Sequence, residues 1–264
     1  YRAYCLEGKN GLEWKRAPGL PGGFKRGGKN MYQFKSRVRY SETGVDARLS
    51  LMGIMNYMQD CSTFQSEDCG VGLAYLEEKN RAWLLSSWQI QILRRPALGE
   101  EITVCTWPYE IKGIYGLRNF TLMDGTGEYL VKANSCWFLL DTEAGKPVRV
   151  TREDVDAYGD EEPKLSMDYA PRKIRLPENL EEKPSFPVRK YHIDTNEHVN
   201  NCQYVQMALE VLPEETRVRQ IRVEYKKSAV LGDVIFPKVA REENRIVTEL
   251  CDENGKPYAV IEIK

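Results

Sequence analysis

Arg94-Arg95-Pro96-Ala97-Leu98-Gly99-Glu100-Glu101-Ile102 returns later in the chain, with one residue inserted, as Lys226-Lys227-Ser228-Ala229-Val230-Leu231-Gly232-Asp233-Val234-Ile235. A basic pair, a Leu-Gly-acid turn and a closing isoleucine recur in the same order. Self-similarity over such an interval marks a duplicated unit. Downstream, Leu122-Met123-Asp124-Gly125-Thr126-Gly127 lines up with Leu250-Cys251-Asp252-Glu253-Asn254-Gly255, both apolar strand ends running into glycine turns. Upstream, Val38-Arg39-Tyr40 and the segment to Asp60 match Val188-Arg189-Lys190 and the segment to Glu210.

Each copy reads as a short strand, a polar loop, an amphipathic helix and then several long strands. The first helix carries Leu51, Ile54, Met55, Met58 and Cys61 at three-and-four spacing, and the second carries His198, Cys202, Val205, Leu209 and Leu212. The strands alternate, with Trp88, Ile90 and Ile92 on one face in the first copy and Ile221, Val223 and Tyr225 in the second. A curved antiparallel sheet wrapped around one apolar helix satisfies both periods. Two such units side by side would pair their sheets and protect the exposed edges. The expected class is therefore α+β, a tandem or double hot dog, with units at 31–150 and 186–264.

Residues 151–185 read as a linker, with a capping-box-like Thr151-Arg152-Glu153-Asp154 starting one short helix. Its carboxylates (Glu153, Asp154, Asp156, Asp160, Glu161, Glu162) are expected to form a solvated face. Residues 1–30 hold seven glycines, no serine and no sustained period, and read as a leader outside the fold, with a natural start at Met31.

Composition narrows the function. Of 264 residues, 42% are hydrophobic and 29% charged, which is ordinary globular usage. No apolar run approaches the roughly 18 residues of a membrane helix. The net charge of -1 gives no general basic field for nucleic acid. Seven irregularly spaced cysteines, with no C-x-x-C pair and only two histidines, support neither a disulfide framework nor a zinc site. They read as reduced, mostly buried thiols of a cytoplasmic protein that needs no metal or organic cofactor.

Any histidine chemistry must pass through Tyr191-His192-Ile193-Asp194-Thr195-Asn196-Glu197-His198-Val199-Asn200-Asn201, which holds both histidines. In an extended loop a spacing of two puts Asp194, Asn196 and His198 on one side, where a following helix would aim its free N–H groups. That set suits hydrolysis of an activated acyl group: the imidazole takes a proton from water, while an amide and helix N–H groups hold the developing oxyanion. From the residues alone a second reading stays open, in which His198 caps or packs and Asp194 and Asn196 form a turn. His192 reads as structural, and Cys202 as a buried helix-face thiol. No G-x-S-x-G elbow, P-loop or G-x-G-x-x-G fingerprint is present.

Asp194-x-Asn196-x-His198-Val199-Asn200-Asn201-x-x-Tyr204 resembles the signature of the acyl-acyl carrier protein thioesterases, the plant plastid enzymes and their bacterial relatives. Val223-Glu224-Tyr225-Lys226-Lys227 is similar to their second motif, and Met31-Tyr32-x-Phe34-x-x-Arg37-Val38-Arg39-Tyr40-Ser41-Glu42 to their opening. The H-V-N-N element alone is shared with hot-dog thioesterases acting on coenzyme A esters.

The resemblance implies release of free fatty acid from acyl carrier protein, with the second unit carrying the catalytic residues and the first shaping the acyl tunnel. It points to Asp194, Asn196 and His198 as catalytic and to Asn200 and Asn201 as substrate contacts. Leu51, Ile54, Met55 and Met58 fit either tunnel lining or plain core. The segment aligned with the loop, Gly44-Val45-Asp46-Ala47-Arg48, has no histidine. One departure stands out: where the family's second motif continues with Glu-Cys, this chain has Ser228 and Ala229, so Ser228 is a weaker catalytic candidate. An acidic carrier protein would dock on local basic residues, with Arg172, Lys173, Arg175, Arg189 and Lys190 as candidates. A homodimer is neither required nor forbidden, because the halves pair internally. An acyl-coenzyme A hydrolase and a non-catalytic acyl-binding regulator are the alternatives.

Overall fold

The duplicated Leu-Gly-acid turns keep their glycines for a conformational reason: Gly99 and Gly232 have φ of 80° and 94°, where a side chain would be strained. Each turn leads into a long strand, and the strands form one sheet. The computed structural model describes residues 31–159, 162–213 and 216–264. Residues 1–30, read above as a leader, lie outside the described residues, as do Asp160 and Glu161.

The front half contains β1 (Tyr32–Arg37), α1 (Leu51–Asp68), α2 (Leu73–Glu78), β2 (Arg81–Ile92), β3 (Glu101–Lys112), β4 (Tyr115–Asp124), β5 (Tyr129–Asp141) and β6 (Lys146–Pro147). After α3 (Arg152–Asp156) come β7 (Glu181–Glu182), β8 (Phe186–Pro187), α4 (Asn201–Glu210), β9 (Gln220–Tyr225), β10 (Val234–Glu242), β11 (Arg245–Cys251) and β12 (Pro257–Ile263). The sheet runs β1-β3-β4-β5-β2-β9-β12-β11-β10-β7, with β6 on β5 and β8 on β10.

The halves meet where β2 pairs antiparallel with β9, matching Trp88 with Val223 and Ile90 with Ile221. These are the alternating apolar positions expected from sequence, so the apolar faces of the two sheets merge. One core follows, with Ile54, Met55 and Met58 of α1, Val205 and Ala208 of α4, and the inner strand residues all buried in it. At about 1.5–3 kcal/mol per fully buried large side chain, this shared face is the main stabilising term.

Two sequence expectations need correction. The second helix does not include His198 or Leu212; it starts at Asn201 with Asn200 as N-cap. His198 pairs instead with Val230, and the Val199 N–H donates to the Ala229 carbonyl at 2.9 Å, which holds the backbone extended. The linker carboxylates are not all solvated either: Asp154 is 4% exposed. Its Oδ2 pairs with Arg81 at 3.1 Å, Tyr75 donates to its Oδ1 at 3.0 Å, and Thr151 caps α3 with it. Burial would push this carboxyl up, but the Thr151 and Tyr75 hydrogen bonds and the Arg81 charge outweigh it and hold it below the usual range.

The linker then crosses the outer face of the sheet as a strap. Trp107 Nε1 donates to Pro163 O at 2.9 Å, Gln89 Nε2 to Asp168 O at 2.7 Å, and Arg222 to the carbonyls of Pro171 and Lys173. Leu165 packs on Cys105 and Trp107, and Ile174 on Val247 and Val260. The strap leaves the inner face to the helices. Among the described residues no helix is long and apolar enough to cross a membrane.

Candidate active site

The loop before α4 folds by local bonds its own residues supply. Asp194 Oδ1 accepts the Asn196 N–H at 2.8 Å, the Asp194 N–H donates to His198 O at 2.8 Å, and the Glu197 N–H to Asp194 O at 3.1 Å. Glu197 closes the turn with φ of 60°. The result is a tight loop that leaves Asn196 and His198 exposed and Asp194 half-buried. Asp194 is thus engaged in shaping the turn, and its carboxylate acts on Asn196 first.

The segment after β9 is fastened to the same place. The His198–Val230 pairing sets Ser228, also exposed, beside the loop. The Tyr204 hydroxyl accepts the Ala229 N–H at 2.8 Å, and the Tyr225 hydroxyl donates to Asn201 O at 2.9 Å. These two tyrosines staple the Ser228 segment to the first turn of α4. Tyr204 lay inside the quoted motif, yet its spacing gave no hint of this bond. Asn200 caps the helix, its Oδ1 accepting the Cys202 N–H at 3.0 Å, so its side chain is committed to α4. Asn201 follows as the first helical residue.

The front half repeats this loop with different chemistry. Gly44 N–H donates to Arg48 O at 2.9 Å, Ala47 sits at φ of 53°, and Ser50 caps α1. Asp46, at the place of Asn196, is ion-paired with Arg95, and Arg48, at the place of His198, donates to Arg95 O at 2.9 Å. Two arginines therefore tie up the position that stays open in the rear half.

α1 reaches the rear loop from the other side. The Cys202 thiol lies 3.2 Å from Asn56 Oδ1, a contact between residues 146 apart that no local pattern announces. Burial pushes the Cys202 thiol up to about 12, so it stays protonated near neutral pH and is no nucleophile. Leu51 is half-buried at the start of α1, while Ile54, Met55 and Met58 point into the core. Of the basic candidates, Arg172, Lys173 and Arg175 lie on the outer strap, with Arg172 Nη1 donating to Ser86 Oγ at 2.9 Å. Arg189 and Lys190 are exposed just before the loop. Among the described residues no three His, Cys, Asp or Glu side chains are grouped to hold a metal ion.

His192 is 7% exposed and its Nδ1 accepts the Arg189 N–H at 2.9 Å, the task Glu42 performs for Arg39 in the front half. Burial, with the Arg189 charge, pulls this imidazole below its usual 6.5. The unfolded chain therefore takes up this proton first as pH falls from 6.5, so the stability from neutral His192 is full above that value and is lost as pH falls through the folded one. Chemical denaturation across this range should show that slope in wild type and lose it in His192→Gln; an identical slope in both would contradict the assignment.

A family model described as the acyl-ACP thioesterase N-terminal domain matches residues 29–158, and one described as the C-terminal domain matches residues 177–264. An oleoyl-acyl carrier protein thioesterase of Arabidopsis thaliana chloroplasts is 25% identical over 85% of this chain and 67% of its own length. The chain spans between half and two thirds of the curated plant relatives it matches. An acyl-ACP thioesterase structure from Bacteroides thetaiotaomicron superposes with a TM-score of 0.80 at 23% identity, covering 89% of this chain and 97% of that one. A 12:0-ACP thioesterase from Umbellularia californica gives 0.79 at 19% identity, covering 93% and 98%. The paired sheets around α1 and α4 are thus a double hot dog, and with both domain models matched in order, this chain belongs to the acyl-ACP thioesterase family.

Proposed function

We propose that this protein hydrolyses the thioester of fatty acyl-acyl carrier protein, with His198 as general base. The observation that carries the reading is the difference between the two copies of one loop. The rear copy presents an open imidazole and amide beside the start of α4, where the front copy has an arginine pair. His198 takes a proton from water as the oxygen attacks the acyl carbon. The tetrahedral intermediate then expels sulfur, and the proton passes to the thiolate of the phosphopantetheine arm, leaving free fatty acid. Asn196, its backbone fixed by Asp194, donates to the carbonyl oxygen as it gains charge, together with N–H groups at the first turn of α4.

Ser228 has no carboxylate to offer and serves as a hydrogen-bonding group beside the water. Exposed Arg189 and Lys190 give an acidic carrier protein a place to dock next to the loop. The test is release of fatty acid from acyl-acyl carrier protein and from the matching coenzyme A ester. Turnover is expected to favour the carrier protein, and Asn196→Ala should lower kcat by about 100- to 1000-fold. Preference for the coenzyme A ester would shift the substrate assignment, and no turnover on either would leave an acyl-binding regulator.

A further inference from the structure

The two copies of the central helix differ in what they do with one carboxylate. Counted from the caps Ser50 and Asn200, Asn56 of α1 corresponds to Gln206 of α4, and Asp60 to Glu210. In the rear copy the pair closes on itself, with Gln206 Nε2 donating to Glu210 Oε1. In the front copy it is split. Asn56 Oδ1 lies 3.2 Å from the Cys202 thiol in the first turn of α4, and the Asp60 carboxylate makes no hydrogen bond or ion pair with other described residues. Asp60 is open to solvent on one side, yet burial pushes its carboxyl up, against the Arg39 charge and together with that of Glu42. A carboxylate left unpaired while part of its water is stripped away does nothing for stability.

The topology carries Asp60 toward the rear loop. β2 and β9 are each the first strand after the central helix of their own copy, and they pair antiparallel. The copies are therefore related by a half-turn about an axis between these strands, and α1 and α4, packed together on the inner face, run in opposite directions. From the Asn56–Cys202 contact, four residues forward along α1 lead to Asp60, a rise of about 6 Å. Four residues back along the rear chain lead to His198. Both steps go the same way. Burial raises the Cys202 thiol first, and the charges of Asp194 and Asp60 add to it, so a carboxylate from each half lies near that thiol.

We propose that Asp60, from the front half, is the catalytic carboxylate of the rear site, a role that rests on the thioesterase reading above. His198 takes one hydrogen of the attacking water as its oxygen bonds to the acyl carbon. Asp60 accepts a hydrogen bond from the other hydrogen, which aims the oxygen lone pair. Its charge also stabilises the imidazolium until the C–S bond breaks and the proton passes to the thiolate. Asp194 is engaged by the Asn196 N–H and Ser228 carries no charge, so the rear half's own loop leaves this place to α1.

The experiment measures kcat and KM for fatty acid release from a panel of saturated acyl-acyl carrier proteins, with thermal midpoints, for wild type, Asp60→Asn, Asp60→Ala and Glu210→Gln. Asp60→Asn should lower kcat about 100-fold with KM and midpoint near wild type, because the amide keeps the shape and loses the charge. Sodium formate, a free carboxylate small enough for the vacated space, should restore part of the kcat of Asp60→Ala and none of that of His198→Ala. Glu210→Gln, at the matching place in α4, should equal wild type. A kcat for Asp60→Asn within about threefold of wild type overturns the proposal. So does a loss confined to KM or to the midpoint, an equal loss in Glu210→Gln, or an Asp60→Ala that formate leaves unrescued. A wild type that releases no fatty acid from any of the panel contradicts the thioesterase reading and this inference with it, whereas an active wild type with indifferent Asp60 variants sinks this inference alone.

Discussion

His198→Ala should lose about 100- to 10,000-fold in kcat while keeping its fold, because a positioned general base is worth that much and an exposed side chain is worth little to stability. The imidazole makes no hydrogen bond to other described residues, and the backbone bonds around it, Asp194 N–H to His198 O and Val199 N–H to Ala229 O, survive the substitution. The thermal midpoint should therefore change by no more than about 0.5 kcal/mol would cause. A comparable loss of stability would mean that the residue holds the loop together. Full activity in the variant would remove it from the reaction.

Arg222→Ala should produce the opposite signature. Glu262, 2% exposed, is held by Arg222 Nη1 at 2.9 Å and Arg245 Nη1 at 2.8 Å, and Arg222 also grips the strap carbonyls of Pro171 and Lys173. Burial would raise the Glu262 carboxyl, but the hydrogen bonds from Arg245 and Arg222 outweigh it and keep it low. Removing one partner strands a buried charge and frees the strap, at a cost of about 3–5 kcal/mol. For a chain this long that corresponds to a drop of about 10 °C in Tm. Because this network faces away from the rear loop, kcat should stay near wild type below the new Tm. A cost under about 1 kcal/mol would show that Arg245 and Lys264, whose Nζ lies 3.7 Å from Glu262 Oε1, suffice for Glu262.

The fold was legible because its signals are local. The paired Leu-Gly-acid turns, the alternation around Trp88 and Ile221, and the stripe from Leu51 to Cys61 each follow from a few neighbouring residues. His198 and Leu212 continue the three-and-four spacing beyond both ends of the helix, but backbone pairing with Val230 and capping by Asn200 delay its start to Asn201, and it stops at Glu210. Nothing near Asp154 in the sequence announces its burial, because its partners Tyr75 and Arg81 lie 79 and 73 residues away.

The catalytic candidates Asp194, Asn196 and His198 were legible as a group through their spacing and resemblance. Their geometry was not. Asp194 accepts the Asn196 N–H, Tyr204 and Tyr225 hold the Ser228 segment, and Asn56 arrives from the other half. Contacts between residues so far apart leave no period in the chain.

The two histidines differ enough in exposure to be told apart chemically, His192 being buried and His198 open. Diethyl pyrocarbonate should modify His198 alone, and mapping the modified peptide against remaining fatty acid release gives the most direct test. Activity should fall in proportion to modification of His198, with substrate slowing both. Full turnover with His198 completely modified, or inactivation that follows His192 instead, would contradict the account.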